Sequence, residues 1–307
     1  MKFVRQFFPS ISAVAAVMVL TYPAIATAQL RQLPPQKVQV QQNIVVPSHE
    51  TAEQLLERGN AYIRLGNLEG AVVIFRAAIQ KNPELTAAHY NLGLAYAQGG
   101  KLKEAIHAFQ RATRLDPQFA IAFSNLGAAQ LQSGNLQQAI PSLQRAIRID
   151  PKLAVAYYNL GLAFKEKKDL NQAIAYFNQA LSLNPQASET VYNIGLLRQA
   201  QGNIPQAIAY YTRALQINPA YAEARYNLGA ALLLQGQMEP AIAQIKQAIA
   251  LRPDYAEAFY TLGVAQSRSG LKQEAIQSFI QAQVYFNKQN NTQWAQQSDR
   301  QIQRLRN

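Results

Sequence analysis

Six prolines fall at 83, 117, 151, 185, 219 and 253, each 34 residues after the one before. Glycines keep the same step at 59, 93, 127, 161, 195, 229 and 263. Two alanine columns do so as well, through 71, 105, 139, 173, 207, 241 and 275, and through 78, 112, 146, 180, 214, 248 and 282. With glycine at ~7% of residues, seven in register by chance has odds on the order of 10⁻⁸. The period runs without insertion from Ala52 to Gln289, seven units of 34 residues and 238 in all. A chain built this way must bury the apolar face of each unit against its neighbours. Its length of 307 residues therefore does not divide into average globular domains.

Each unit reads as two helices. In the fourth, Ala154–Lys167 is apolar-periodic, Lys168-Asp169 turns, Leu170–Leu183 is periodic again, and Asn184-Pro185 stops it. Other units place Gly66, Gly134, Gly202, Gly236 and Gly270 at that turn, where a positive φ costs glycine nothing. The mid-helix column at Gly161 costs ~1 kcal/mol against alanine, which implies a close approach, and the Ala173 column is expected opposite it. The class is all-α.

The sequence Leu92-Gly93, Tyr96, Ala105, Phe109, Ala112, Pro117 resembles the signature of the tetratricopeptide repeat (TPR) family. The resemblance covers the 238 repeat residues and is closest to exported bacterial TPR arrays of scaffold and assembly factors and of protein O-glycosyltransferases. It implies a right-handed α-solenoid, a superhelix of seven helix-turn-helix units whose concave face is lined by the first helix of each. The units are 52–85, 86–119, 120–153, 154–187, 188–221, 222–255 and 256–289. After them, residues 290–307 are expected to form a capping helix over Thr292–Arg306, anchored by Trp294.

The N-terminus carries Lys2 and Arg5, an apolar run from Ile11 to Leu20, then Pro23 and Ala26-Thr27-Ala28. That is the pattern of a signal peptide, residues 1–28, cleaved after Ala28; an uncleaved anchor is the alternative reading. It predicts export to a periplasm or another extracytoplasmic compartment, such as a thylakoid lumen. Residues 29–50, rich in Gln and Pro, read as a linker. Thr51 and Gln54 have capping-box spacing and mark the start of ordered structure.

Cysteine is absent and histidine occurs only at His49, His89 and His107. No nucleophile elbow, phosphate loop or metal-binding motif is present in the sequence. The expectation is a non-enzymatic chain with no cofactor, no metal and no small-molecule substrate; nucleic acid is not an expected partner. His89 and His107 read as packing or surface residues.

Helical geometry places Tyr157, Leu160, Gly161 and Phe164 on the arc that packs on the second helix. Val155, Tyr158, Asn159, Leu162, Lys165 and Glu166 fall opposite, on the expected groove. Stacked over the units this gives a tyrosine column (Tyr90, Tyr158, Tyr192, Tyr226, Tyr260) and an asparagine column (Asn91, Asn125, Asn159, Asn193, Asn227). The amides either hold the backbone of an extended protein or peptide ligand, the role an asparagine column has in the TPRs of protein glycosyltransferases, or brace adjacent repeats. At the groove end of the first helices, Ala87, Ile121 and Val155 in repeats two to four give way to Glu189, Glu223 and Glu257 in repeats five to seven. Leu94, Leu131 and Leu162 are expected to reinforce the apolar half. The leading expectation is thus a protein-binding scaffold in the assembly or maturation of an extracytoplasmic complex. A formal net charge of +12 and outward-facing Arg111, Arg114, Arg145, Arg148 and Arg213 raise a second possibility, docking of a convex basic face on an anionic membrane or polyanion. A third is a regulatory partner of a separate catalytic chain.

Overall fold

The computed structural model describes residue 46 and residues 48–307. The predicted signal peptide and most of the predicted linker lie outside the described residues. Among those residues the chain forms fifteen α-helices. In helix pairs these are α1 (Ala52–Arg64) with α2 (Leu68–Lys81), α3 (Thr86–Gln98) with α4 (Leu102–Leu115), α5 (Ala120–Gln132) with α6 (Leu136–Ile149), and α7 (Ala154–Glu166) followed by α8 (Leu170–Leu183). Then come α9 (Ser188–Ala200) with α10 (Ile204–Ile217), α11 (Ala222–Leu234) with α12 (Met238–Leu251), α13 (Ala256–Arg268) with α14 (Lys272–Lys288), and α15 (Thr292–Arg306). The helices form two compact units, one ending at Asp169 and the other beginning at Leu170. Each unit is a helical-repeat solenoid.

Local chemistry sets the helix ends. Thr51 Oγ1 accepts from the Gln54 N–H at 3.2 Å and Gln54 Oε1 accepts from the Thr51 N–H at 2.9 Å, a closed capping box. Asn67, Asn135 and Asn203 cap second helices by accepting from the N–H three residues on. Each inter-helix turn needs one residue in the left-handed region. Gly66 and Gly134 take it at φ 74° and 79°, and Lys168 takes it at φ 64° in the fourth unit, where no glycine is available. After the second helices, Asn82, Asp116, Asp150 and Asn218 fold their side-chain oxygens onto the N–H two residues ahead. The proline between them donates nothing and ends the helix.

The glycine column explains how the two helices of a unit fit. A Cβ on Gly93 would stand 2.6 Å from the Phe109 ring, and on Gly195 2.7 Å from the Tyr211 ring. The expected partner is the alanine column, and its backbone does approach, with Ala139 O 3.1 Å from the Gly127 position and Ala241 O 3.0 Å from the Gly229 position. The structure adds a closer contact: the large residue four positions after that alanine, such as Phe75, Phe109, Leu143, Tyr211, Ile245 or Phe279, presses on the glycine. Small residues there let the second helix lie close enough to bury an aromatic ring whole.

Helix α15 starts where an eighth unit would. Gln297 stands 34 residues after Gly263, at the glycine position. Trp294 packs edge-on to Tyr260 at 5.4 Å and stacks on Phe286 at 6.1 Å, while Ala295, Ser298 and Ile302 are buried. Gln293, Gln296 and Arg300 remain exposed. At the other end, Val46 packs on the cluster of Leu55, Ile74 and Ala78, Glu50 pairs with Arg58, and Lys81 Nζ donates to Ser48 O at 2.6 Å.

Candidate functional site

The first helices present the face on which the sequence places its binding residues, and the structure divides that face into a brace and an edge. The asparagines form the brace. Asn125 and Asn159 are 0% exposed, and Asn193 and Asn227 are buried too. Asn125 Nδ2 donates to Tyr90 Oη at 3.0 Å, and Asn227 Nδ2 donates to Tyr192 Oη at 2.8 Å and to Glu223 O at 3.0 Å. Tyr226 Oη lies 3.3 Å from Thr261 Oγ1 in the same register, one unit plus one residue apart. Asn193 Nδ2 donates to Glu189 O at 2.8 Å, and half-buried Asn91 donates to Asn60 Oδ1 at 2.7 Å. Most of the column thus turns toward its own protein, away from any ligand.

The tyrosines belong to the same brace. Tyr90 packs against Phe119 at 4.8 Å, Tyr192 against Tyr221 at 4.9 Å and Tyr226 against Tyr255 at 4.9 Å, each pair tilted by 48–49°. Each pair wedges a first-helix ring against an aromatic residue just before the next first helix. Burial pushes the Tyr192, Tyr211, Tyr226 and Tyr255 phenols well above their ordinary range. In the third unit the tyrosine position is Ser124, 0% exposed, whose hydroxyl has no hydrogen-bond partner. Leu94, Leu131 and Leu162 are also buried, so they fill the core and do not reinforce a groove. Tyr158 is half-buried.

What remains open is the edge formed by the second residue of each first helix. In the unit ending at Asp169, Ala87, Ile121 and Val155 are partly exposed. In the unit beginning at Leu170, Glu189 is exposed and Glu223 and Glu257 are partly so. Glu223 Oε1 pairs with Arg252 Nη1 at 2.7 Å, and the Arg252 guanidinium lies 3.3 Å from the centre of the Tyr255 ring. Arg252 occupies the place where other units carry the helix-ending Asn or Asp, so it trades that turn for an ion pair. Both side chains are more than a third exposed, so the pair contributes under ~1 kcal/mol. Sequence reasoning missed Arg252 because its partner lies 29 residues away; the break in the Asx column at that position was the available signal.

The cations of the second helices divide similarly. Arg111, Arg114 and Arg148 are exposed; Arg145 is half-buried, donating to Pro117 O at 3.1 Å and lying over the Phe123 ring. Arg213 belongs to the other unit, on α10, among uncharged Pro205, Ala209 and Gln216. His89 is buried with Nε2 2.9 Å from Pro83 O, and Arg225 donates twice to Pro219 O, so three units fasten the same proline carbonyl with different side chains. His107 is exposed.

Family models described as tetratricopeptide repeat match residues 56–118 and 239–287, 198–262, and 154–186, and one described as TPR repeat matches 130–168. No curated protein matches in sequence. Among solved structures, a tetratricopeptide repeat protein from Parabacteroides merdae is 19% identical with a TM-score of 0.62, over 80% of this chain and 98% of that one. A chain of the Cut9–Hcn1 hetero-tetramer of the APC/C is 22% identical with a TM-score of 0.61, over 70% of this chain; the alignment spans only 42% of that one. YrrB, described as a TPR protein with an unusual peptide-binding site, is 22% identical with a TM-score of 0.50, over 61% of this chain and 96% of that one. At these identities the likeness is one of fold.

Proposed function

This chain belongs to the tetratricopeptide-repeat family, and from that premise we propose that it is a non-enzymatic scaffold binding proteins or peptides along its first-helix edges. The observation that carries the reading is the split between brace and edge. Bracing amides and tyrosines are used up internally, whereas the second position of each first helix keeps free surface whose chemistry changes from apolar to acidic. Ile121 and Val155 suit apolar side chains of an extended segment. Glu189 and Glu257 suit basic ones, with Glu223 already engaged by Arg252. The peptide-binding site named for YrrB supports this use of the fold. The signal-like N-terminus supports a site of action outside the cytoplasm, in the assembly or maturation of an extracytoplasmic complex.

The two edges are tested separately. A partner recovered by pull-down from the native envelope is cut into overlapping peptides and titrated by fluorescence anisotropy. Glu189→Gln with Glu257→Gln should weaken peptides carrying Lys or Arg several-fold, more at low salt. Ile121→Ser with Val155→Ser should weaken apolar peptides at any salt. If neither pair changes the affinity of any bound peptide, the first-helix edge is not the binding surface. Export is tested by the mass of the purified native protein, which should begin at Gln29.

A further inference from the structure

Lys103, His107, Arg111 and Arg114 follow one another on α4 at steps of four, four and three residues, which keeps all four within an 80° arc. All four are exposed. The stripe is about 16 Å long. The same register of α6 continues it with Arg145 and Arg148. The hydrogen bond from Arg145 Nη2 to Pro117 O ties α6 to the segment leaving α4, so the two helices hold their cations side by side. None of the six has a carboxylate within ion-pair distance among the described residues. Glu104, in the first turn of α4 beside Lys103, is the one exposed acid bordering the stripe; Asp116 and Asp150 at the helix ends accept from the Gln118 and Lys152 N–H groups at 2.9 Å. The corresponding register in the unit beginning at Leu170 is nearly uncharged, with Arg213 the single cation on α10. Five formal cations, Lys103, Arg111, Arg114, Arg145 and Arg148, are therefore gathered on one outer face.

From this placement we infer that the outer face of α4 and α6 is a docking surface for the headgroups of an anionic lipid leaflet. Charge complementarity makes the partner an anion, and the composition of the patch selects which kind. A specific protein interface is centred on desolvated aromatic or aliphatic anchors, and none of the exposed large apolar residues lies on α4 or α6. Single-stranded nucleic acid takes exposed aromatic rings for its bases, and the stripe has none. A leaflet asks only for many cations on one broad face, each acting through the surface potential. No helix among the described residues is long and apolar enough to cross a membrane, so the contact belongs to the surface. The inference is independent of the peptide edge, which lies on the first helices.

The test is co-sedimentation of the full chain with phosphatidylcholine vesicles, neutral or carrying about a third phosphatidylglycerol. Binding through the apolar N-terminal run, with Lys2 and Arg5 beside it, is common to parent, patch variant and control and cancels in their comparison. A patch variant combines Lys103→Gln, Arg111→Gln, Arg114→Gln and Arg148→Gln, leaving Arg145 to hold Pro117. A control removes the same charge elsewhere with Arg213→Gln, Lys246→Gln, Lys272→Gln and Arg304→Gln. Each lost cation should weaken anionic-vesicle binding about fivefold. The patch variant should thus lose about a hundredfold or more, and the control much less, with circular dichroism unchanged in both. Three outcomes overturn the inference: no preference of the parent for anionic vesicles, equal losses in patch variant and control, or tighter binding of the parent to heparin or DNA than to the vesicles at the same salt.

Discussion

The Ser124 hydroxyl sits in a fully buried place where most other units carry a tyrosine, and it has no partner. A buried hydroxyl without a hydrogen bond costs ~1 kcal/mol or more. Ser124→Ala should therefore raise stability by about 1 kcal/mol, seen as a higher urea midpoint; an unchanged or lower midpoint would mean the hydroxyl is satisfied. Asn227→Ala should act the other way. It removes the bonds to Tyr192 Oη and Glu223 O and relieves an unpartnered Oδ1, a net loss of about 1 kcal/mol. Because this amide braces the protein, peptide affinity should hardly move in the same variant. The asparagine column was legible in the sequence as a column, with ligand binding and bracing both open. The tyrosine partners of Asn125 and Asn227 lie 35 residues back in the preceding unit, and helical geometry within one unit cannot choose between the two. The leucines failed for the same reason: an arc that faces away from its own second helix can still face the next repeat.

Helix pairs were far more legible, because proline, glycine and capping residues act locally and recur in register. The glycine column was legible as a close approach of the alanine backbone, but the large side chain that comes closer still was not, since its size is a property of the other helix. Gly93→Ala tests the approach itself. Alanine is worth ~1 kcal/mol in helix propensity, yet its Cβ would stand 2.6 Å from the Phe109 ring. The variant should lose 1–3 kcal/mol, as overpacked cores do. A single variant as stable as the parent would show that the pair has slack. Helix α15 makes the complementary case. Its exposed Gln293, Gln296 and Arg300 give it a polar outer face. Deleting residues 290–307 should uncover Tyr260 and Phe286 and lower both solubility and melting temperature. A truncated chain as soluble and stable as the parent would free that helix for another role.

The chain as a whole shows what a perfect period hides. The division at Asp169 and Leu170 falls at the inter-helix turn where Lys168 stands in the glycine position. The period hides an uneven load of buried phenols. In the unit beginning at Leu170, burial is the first cause raising Tyr192, Tyr211, Tyr226 and Tyr255 above the ordinary value of 10.0, with nearby Glu223 adding to it at Tyr192 and Tyr192 itself adding at Tyr211. The sign follows from proton counting. Below pH 10 these phenols are protonated whether the unit is folded or not, and they make stability neither rise nor fall. Above pH 10 the unfolded chain releases their protons while the folded unit retains them. The unfolded state then binds fewer protons, so stability falls as pH rises, by up to ~1.4 kcal/mol per pH unit for each such tyrosine. Four of them acting together should bring on cooperative unfolding in alkali. Tyrosinate absorbance and loss of helical circular dichroism, followed together from about pH 9 upward, should rise and fall in one transition for these residues. If instead all the phenols titrate smoothly near pH 10 while the helices persist, the tyrosine pairs are open to water and do not hold the repeats together.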